Sequence, residues 1–303
     1  MNTSSLYIII LNYNHLDDLK ETLASFKLQD YHDKHLVVSD NGSTDDSLFW
    51  LKENHPDVKI LENRANLGWA EGNNRGIRFA MEQRADYILL ANNDLSFVNP
   101  KLISNLIKQL NEKSRLIIGP KQNYYYKPDT LFSEGHFFMN ITCKSFNSLR
   151  LKYIETANHP SNQQVVDYVA GSFVLFPSKL VDEIGLIDRR FYLYGEDADF
   201  FLRAWKKGYV SVVDKNETIL HKVSATALTG SPLKKYYQNR NIWLNFQKHN
   251  DIGQEIRFFK IHVLKSVIKT LLVDLKHFRF KHMSATVLGL WHGIIIKKFG
   301  KYY

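Results

Sequence analysis

The first 120 residues alternate between short apolar runs and segments of helical periodicity, and this alternation limits the fold more than any other feature. The apolar runs predict strands at Leu6–Leu11, Leu36–Ser39, Val58–Leu61, Tyr87–Leu90 and Leu116–Ile118. The periodic segments between them predict helices at Asp17–Leu28, Thr44–Asn54, Ala70–Arg84 and Pro100–Asn111. A repeating strand–helix order is typical of an α/β fold, so we expect a Rossmann-like, mostly parallel sheet with helices on both faces.

The pattern is less regular after residue 120. Between Asn123 and Gln164 no period is clear, and we expect an irregular excursion or a hairpin. Further along, the sequence predicts a strand at Val165–Phe176, helices at Pro177–Ile184 and Ala198–Lys207, and helical structure from Pro232 to the end. We therefore divide the chain into an α/β domain, residues 1–230, and a helical C-terminal extension, residues 231–303.

Composition excludes several classes of protein. With 44% hydrophobic and 23% charged residues, the 303-residue chain is globular rather than disordered or a multi-span membrane protein. Its single cysteine, Cys143, excludes an internal disulfide framework and a cysteine-rich zinc site. The apolar start is too short for a signal peptide, and Met283–Ile296 is too short for a spanning helix. We expect a cytoplasmic chain, either soluble or bound to a membrane surface.

Basic residues are concentrated near the C-terminus. From Asp251 to Tyr303 there are ten Lys and Arg against three acids, which is +7 of the chain's net charge of +9. Such a segment indicates an anionic partner, either nucleic acid or a membrane surface. Nucleic acid is disfavoured, because the basic residues avoid the polar clusters described below and no aromatic residues interleave with them in a known binding motif.

Within this segment, one predicted helix has two distinct faces. Helical spacing gathers apolar residues on one face (Leu264, Val267, Ile268, Leu271, Leu275 and Phe278) and basic residues on another (Lys265, Lys269 and Lys276). Two interpretations stay open: a helix that packs on the α/β domain with a solvated basic face, or an interfacial helix that binds anionic lipid.

Polar clusters follow four consecutive predicted strands. They are Asn12-Tyr13-Asn14, Ser39–Asp45, Asn66–Gly76 and Asn92-Asn93-Asp94. Each alone is explained by turn and cap residues. Because ligands of open α/β sheets bind beyond the carboxyl ends of the strands, the four together indicate a ligand site.

Two of these carboxylates suit particular ligand groups. Asp40 can accept a hydrogen bond from the N3–H of a pyrimidine base, and Asp94 offers a hard oxygen ligand for Mg²⁺ or Mn²⁺. The glycines at 68, 72 and 76 allow close backbone approach to a ligand. The sequence has no Gly-Lys-Ser/Thr loop, and the first strand–helix turn has no GxGxxG, so a dinucleotide cofactor is not expected.

A second group of chemistry-bearing residues lies further along the chain. Glu196 and Asp197 are adjacent carboxylates at a predicted helix start, where they act either as N-terminal caps or as a general base. His221 follows a predicted strand, Val210–Val213, and a short apolar run, Thr218–Leu220. It is either a structural histidine or a second metal ligand beside Asp94.

In this order, the motifs resemble those of family 2 glycosyltransferases with a GT-A fold, in particular bacterial rhamnosyltransferase-like members that build surface polysaccharides. The resemblance covers residues 6 to about 221. It is carried by the Asn12-Tyr13-Asn14 opening, SDNGSTD at 39–45, NLGWAEGNNRGI at 66–77, ANND at 91–94, Gly171–Phe176 and YGEDADF at 194–200.

The resemblance implies roles for individual residues. Leu11, Tyr13 and Asp40 would bind the pyrimidine base, and Asn73, Asn93 and Asp94 would lie at the nucleotide sugar. Asp94 and His221 would bind a divalent metal, Mg²⁺ or Mn²⁺, and Asp197, paired with Glu196, would be the catalytic base. The family's DxD motif here reads Asn92-Asn93-Asp94, so one carboxylate is missing.

The resemblance also implies a reaction. The expected enzyme transfers a sugar with inversion, favouring rhamnose from dTDP-rhamnose over a hexose from a UDP-sugar, onto a hydroxyl of a polyprenyl-diphosphate-linked oligosaccharide. Residues 1–120 would then form the nucleotide-sugar half of the catalytic domain and 121–230 the acceptor half. The location implied is the inner face of the cell membrane. Two alternatives stay open: an inactive relative that binds a sugar nucleotide and, more remotely, a nucleic-acid-binding protein.

Overall fold

The computed structural model describes residues 4–136, 162–223, 231–249 and 254–295. Within these ranges the sheet has ten strands: β1 Leu6–Asn12, β2 Lys34–Asp40, β3 Lys59–Glu62, β4 Tyr87–Asn92, β5 Leu95–Ser96, β6 Leu116–Tyr124, β7 Lys127–Ser133, β8 Gln163–Val166, β9 Phe173–Pro177 and β10 Val210–His221. The strand order is β3-β2-β1-β4-β9-β6-β10-β5, with β7 beside β6 and β8 beside β10. β1 pairs in parallel with β2 and β4, and β10 pairs in parallel with β6. The predicted α/β class with a mostly parallel sheet is confirmed.

Nine α-helices lie in the described part of the chain: α1 Leu16–Lys27, α2 Ser47–Asn54, α3 Gly68–Glu82, α4 Leu102–Glu112, α5 Lys179–Ile184, α6 Glu196–Lys206, α7 Pro232–Lys248, α8 Gln254–Lys276 and α9 Phe280–Ile295. The first three alternate with β1 to β4, the next three lie among the later strands, and the last three follow one another as predicted for the C-terminal extension. The boundary proposed at residue 230 lies outside the described residues, as does Cys143.

Side-chain alternation along β1 explains why helices cover both faces of the sheet. Leu6, Ile8 and Ile10 join one buried cluster, which includes apolar residues of α1, α2 and α4. Tyr7 and Ile9 join the other, which includes residues of α3, α5 and α6. Successive side chains of a strand point to opposite faces, so an uninterrupted apolar strand needs a layer on each side.

The prediction of one strand at Val165–Phe176 is wrong. The segment contains two strands, β8 beside β10 and β9 between β4 and β6, and both run antiparallel to these neighbours. The loop between them buries Val169 and Ala170 in the core. Because these loop residues are apolar, the sequence has the hydrophobicity of a continuous buried strand. Conversely, the predicted Val210–Val213 strand and Thr218–Leu220 run belong to one strand, β10, which has an irregularity between Asp214 and Thr218.

The excursion predicted from Asn123 to Gln164 is described only at its ends. It begins as the hairpin formed by β6 and β7 and ends in β8, whereas residues 137–161 lie outside the described part.

The apolar face predicted for the C-terminal helix is only partly buried. α8 contributes Val263, Val267 and the half-buried Leu271 to a third apolar cluster with α7 and α9. Leu264, Ile268, Leu275 and Phe278 of the predicted face are exposed. The reason is that α8 contacts α7 and α9 only through a narrow strip of residues spaced four apart, and not through a broad helix face.

Close packing at the start of α3 allows a matched test of glycine. Gly68 has φ +78°, and a Cβ there would lie 2.3 Å from the carbonyl oxygen of Tyr192. Gly208 has φ +80° with no atom within 4 Å of such a Cβ. Both alanine variants carry the left-handed backbone cost, about 1–2 kcal/mol. We expect Gly68→Ala to lose about 1–3 kcal/mol more, because only that methyl group meets backbone.

Urea unfolding of the wild type and both variants measures this difference. Equal losses for Gly68→Ala and Gly208→Ala would contradict the close approach of α3 to Tyr192.

Candidate active site

Parallel pairing brings the first polar clusters to one edge of the sheet. In register, Asn12 lies opposite Asp40 of β2, and Leu11 lies opposite Asn92 of β4. At the far end of β10, His221 lies opposite Leu95, which follows Asp94 directly. The sequence clusters therefore converge, as the strand-end argument predicts.

Asp40 is 1% exposed and organises the loop that follows β2. Its Oδ1 accepts from the Ser43 backbone N–H at 3.0 Å, and its Oδ2 accepts from Ser43 Oγ at 2.6 Å and Asn12 Nδ2 at 2.9 Å. Beside it, Leu11 and Tyr13 are half-buried. They flank Asn12, which lies opposite Asp40 in the strand register, and contact of the three residues with a pyrimidine base stays a prediction.

Asn12 is a residue that the sequence reasoning did not select. It is fully buried, and its side chain bridges two clusters. The amide nitrogen donates to Asp40, and its Oδ1 accepts from Asn93 Nδ2 at 2.7 Å. Asn93 Nδ2 also lies 3.1 Å from the backbone oxygen of Asn14. The sequence did place Asn12 first in the opening polar cluster, but it could not show which way the Asn12 side chain points.

The side chains of the two asparagines in the altered DxD motif form hydrogen bonds with other residues of the protein. Asn93 donates two hydrogen bonds, which an aspartate could not do. Asn92 Oδ1 accepts from the indole N–H of Trp69 at 3.2 Å. The departure from the family pattern is therefore matched by local hydrogen bonding.

Asn73 and the glycines of α3 serve packing within the protein. Asn73 is buried, and its Nδ2 donates to the Trp69 carbonyl at 2.9 Å. Cβ atoms at Gly72 and Gly76 would lie 2.5 Å from Leu11 Cδ1 and 2.3 Å from Ile9 Cγ2. We expected these glycines to leave room for a ligand. At positions 72 and 76 the structure gives a simpler reason for glycine, which is the close packing of α3 on β1.

Asp94 and His221 form a buried pair. The distance from His221 Nε2 to Asp94 Oδ1 is 3.1 Å, and the two side chains are 7% and 9% exposed. The other ring nitrogen, Nδ1, is buried without a hydrogen-bond partner among the described residues. One carboxylate and one imidazole are suitable ligands for a divalent cation that also binds substrate phosphates, so the pair fits a partial metal site. Within the described ranges, no group of three or more such side chains could hold a metal.

Glu196 and Asp197 begin α6, as predicted. Glu196 is buried, and burial, followed by the charge of Asp197, raises the pKa of Glu196 to about 8. Burial also raises the pKa of Asp197 above its usual range, while the backbone N–H of Ala198, 2.7 Å from its Oδ1, opposes that shift. The pKa of Glu196 therefore keeps a proton on this carboxyl at neutral pH, and both carboxyls lie at the positive end of a helix.

The sequence analysis did not identify two residues that lie near Asp197, His136 and Tyr168. Burial lowers the pKa of His136, and the charge of Asp197 opposes this. Burial raises the pKa of Tyr168, and Asp197 adds to this. The two rings stack at 4.8 Å between centroids. Tyr168 was hidden within the stretch that was predicted as a single strand, and nothing in the sequence joined it to His136.

Trp69 connects the two halves of the site. Its backbone N–H donates to the Tyr192 carbonyl at 2.8 Å, and its indole N–H donates to Asn92. A Cβ at Gly171 would lie 3.2 Å from its ring. Because Tyr192 precedes the Glu196–Asp197 pair by a few residues, Trp69 joins the strand-end edge to the loop that carries the pair.

Comparison with known proteins supports a carbohydrate-transfer function. The family model "Glycosyl transferase family 2" matches residues 7–185, and "Glycosyl transferase family group 2" matches residues 98–296. The chain is 26% identical over 261 residues to an N-acetylglucosaminyl-diphospho-decaprenol L-rhamnosyltransferase of Mycobacterium tuberculosis, covering 80% of this chain and 84% of the relative. It is 25% identical to the dTDP-rhamnosyl transferase RfbF of Shigella flexneri, with 96% of each chain covered.

A solved structure shares the fold. The mannosyltransferase PcManGT of Pyrobaculum calidifontis, in complex with GDP-Man and Mn²⁺, matches with a TM-score of 0.57 at 14% identity, covering 98% of this chain and 88% of that one. The fold is therefore GT-A.

Glu196→Gln should change how stability depends on pH. Folding raises the pKa of Glu196 from 4.5 to about 8, so between these values the folded chain keeps a proton that the unfolded chain has released. Through this group, the free energy of unfolding falls as pH rises from about 5 to about 8. Glutamine cannot titrate, so the variant should match the wild type near pH 5 and exceed its stability near pH 8.

Urea unfolding across this pH range measures the effect. Glu82→Gln, which alters an exposed glutamate at the end of α3, is the matched control. Parallel curves for the wild type and Glu196→Gln would contradict the buried, protonated state.

Proposed function

This chain belongs to glycosyltransferase family 2, and we propose that it transfers rhamnose from dTDP-rhamnose, with inversion, onto a hydroxyl of a lipid-linked oligosaccharide that becomes surface polysaccharide. The observation that carries the proposal is the Glu196–Asp197 pair, in which Glu196 is buried and Asp197 is half-buried. Trp69 joins the loop before this pair to the strand-end edge that contains Asp40 and Asp94. A hexose from a UDP-sugar is the second candidate donor. In this proposal residues 1–120 bind the donor and 121–230 the acceptor.

Asp197 is the proposed base. As the acceptor oxygen forms its bond to the anomeric carbon of the donor sugar, the bond from that carbon to the nucleotide diphosphate breaks. The acceptor proton passes to Asp197, and the nucleoside diphosphate leaves with the electron pair. A single displacement of this kind inverts the configuration at the anomeric carbon. The raised pKa of Asp197 brings its basicity closer to that needed near neutral pH.

Glu196 assists as a neutral neighbour. Since burial and the charge of Asp197 keep a proton on Glu196 up to about pH 8, the pair carries one negative charge rather than two. That arrangement avoids repulsion between two adjacent charged carboxylates and leaves Asp197 as the proton acceptor.

Asp94 and His221 are the proposed metal ligands. A divalent cation, Mg²⁺ or Mn²⁺, would stabilise the charge of the leaving diphosphate. Asp94 is fixed through its backbone oxygen, which accepts from the Lys222 N–H at 3.0 Å, so both ligands are attached to the end of β10. In this proposal, phosphate oxygens of the donor and the imidazole of His221 take the place of the missing DxD carboxylate as metal ligands.

The activities named for two relatives support the choice of substrates. One is a dTDP-rhamnosyl transferase, and the other is an L-rhamnosyltransferase named for an acceptor, N-acetylglucosaminyl-diphospho-decaprenol. We extend both features, a dTDP-rhamnose donor and a polyprenyl-diphosphate acceptor, to this chain.

Asp197→Asn should abolish transfer, with kcat falling by at least about 100-fold, because the acceptor proton then has no base. Glu196→Gln should retain activity within about tenfold at pH 7, because Glu196 is already neutral there. Both rates are measured as transfer of radiolabelled rhamnose from dTDP-rhamnose to a polyprenyl-diphosphate-linked N-acetylglucosamine. Parallel reactions with UDP-hexoses test the second candidate donor.

Binding is followed separately by thermal unfolding with dTDP or UDP, with and without Mn²⁺. Both variants should bind nucleotide as the wild type does. Near-normal turnover by Asp197→Asn would contradict the base assignment. Nucleotide binding by the wild type, without transfer or donor hydrolysis, would instead favour the inactive relative.

We further propose that α8 and α9 contact an anionic membrane surface. Apolar side chains are exposed on both helices and the turn between them: Leu264, Ile268, Leu272, Val273, Leu275, Phe278, Phe280, Val287, Leu288, Trp291 and Ile294. Five cations are exposed among them: Lys265, Lys269, Lys276, Arg279 and Lys281. The only carboxylate from 263 to 295, Asp274, is buried and paired with Lys235.

Apolar residues mixed with cations, without an exposed acid, fit a bilayer interface with anionic headgroups. None of the helices in the described ranges is long and apolar enough to cross a bilayer. The proposed location is peripheral, at the inner face of the cell membrane, where a lipid-linked acceptor is presented.

A Phe280→Ala/Trp291→Ala variant should bind phosphatidylglycerol-rich vesicles about tenfold more weakly, because two large aromatic side chains no longer enter the interface. Phe49→Ala, which removes a side chain of α2 that is also exposed, is the control. Vesicle co-sedimentation measures binding, and binding of the wild type should weaken at high salt. Equal binding by both variants would contradict the proposed surface.

A further inference from the structure

The loop that leads into the Glu196–Asp197 pair has an unusual backbone. We call residues 191–195 the base loop. Tyr192 has φ +57° and ψ −58°, and the N–H of Leu193 lies 2.6 Å from the Phe191 carbonyl oxygen, so Tyr192 is the centre of a γ-turn with positive φ. Tyr194 and Gly195 also have positive φ, at 66° and 86°. Such conformations persist only where surrounding groups hold them.

Two amides of α7 hold this loop. Asn241 is 1% exposed, and its Nδ2 lies 2.8 Å from the carbonyl oxygens of Phe191 and Leu193 and 2.5 Å from that of Tyr194. One turn further along, Asn245 Nδ2 donates to the Gly195 carbonyl at 2.9 Å. Four of the five loop carbonyls are therefore bound by side chains of the C-terminal extension.

Arg240 supports the same contact. Its Nη2 donates to the carbonyls of Arg190 and Phe191 at 2.7 and 2.8 Å. Its Nε donates to Asn241 Oδ1 at 2.7 Å, which turns the amide so that its nitrogen faces the loop. The remaining loop carbonyl, that of Tyr192, accepts from the backbone N–H of Trp69 in α3.

α7 is itself fixed to α6 by buried charge. Asp199, which is fully buried in the first turn of α6, lies 2.9 Å from His249 Nε2 and 2.8 Å from Lys248 Nζ. Asp188 also accepts from Lys248, at 2.7 Å. The end of α7 is therefore attached to the first turn of α6, while its middle binds the base loop.

From this geometry we infer that Asn241 is a positioning residue for the base Asp197. The inference rests on the proposed function of Asp197. Asn241 holds the base loop in its positive-φ conformation and so sets the position at which α6 begins. Neither alanine nor aspartate can replace it, because the loop carbonyls need a donor and Arg240 needs an acceptor.

The experiment compares Asn241→Ala with Gln247→Ala. Both residues are amides of α7, but Gln247 Nε2 donates to Gly293 and Ile294 of α9, at 3.0 and 3.1 Å, and not to the loop. Asn241→Ala should lower kcat about 100-fold with the KM for the donor nearly unchanged, because the reacting groups are misplaced while the donor edge is intact. Gln247→Ala should leave kcat close to that of the wild type.

Hydrogen exchange of residues 191–195 gives a readout that needs no activity. Exchange should be faster in Asn241→Ala than in Gln247→Ala. If the wild type transfers no sugar, the proposed function fails. Hydrogen exchange then still tests whether Asn241 holds the base loop in its conformation. If Asn241→Ala does not fold, Asn245→Ala, which removes only the bond to Gly195, replaces it. Wild-type kcat and unchanged exchange in these variants, or equal losses in Gln247→Ala, would overturn the inference.

Discussion

The pairing of β1 with β2 on one side and β4 on the other is the constraint on which the rest of the molecule depends. β1 is apolar on both faces, so it must lie in the interior, and its parallel register determines which residues meet where the three strands end. A shift of one residue would turn Leu6, Ile8 and Ile10 towards the wrong helices and separate Asn12 from Asp40. The hydrophobic core and the polar edge are thus fixed by the same hydrogen bonds.

Three carboxylates within the first turn of α6 are stabilised in different ways. Asp199 keeps its charge although it is buried: burial alone would raise its pKa, but His249, Arg203 and Lys248 lower it. For Glu196 the charge of Arg240 lowers the pKa too little to offset burial and the charge of Asp197, so this group avoids the cost of a buried charge by remaining protonated. Asp197 lies between them in sequence and is partly exposed. Asp199 is therefore a structural charge, whereas Glu196 and Asp197 both have raised pKa values.

Local sequence was enough to predict the α/β class, the four polar strand ends and the helix that begins at the Glu196–Asp197 pair. These features depend on short-range periodicity and on the rule that parallel strands end together. The sequence was not enough where apolar residues lie in a loop, as between β8 and β9, or where only one strip of an apolar helix is covered, as in α8. It also gave no indication that Asn241 binds a loop fifty residues away, because no local pattern records a contact at that separation.

α9 packs on α7 through a seam of small residues. Thr286, Gly289 and Gly293 are buried there, and Cβ atoms at the two glycines would lie 2.4 Å from the Tyr236 carbonyl and 2.6 Å from the Arg240 carbonyl. The backbone of Arg240 thus touches the outermost helix on one side, while its side chain reaches the base loop on the other. Under the proposed function, a bulkier residue in the seam would displace Arg240 and with it the base loop. Loss-of-function substitutions should therefore extend into the C-terminal helices, at positions that never meet either substrate.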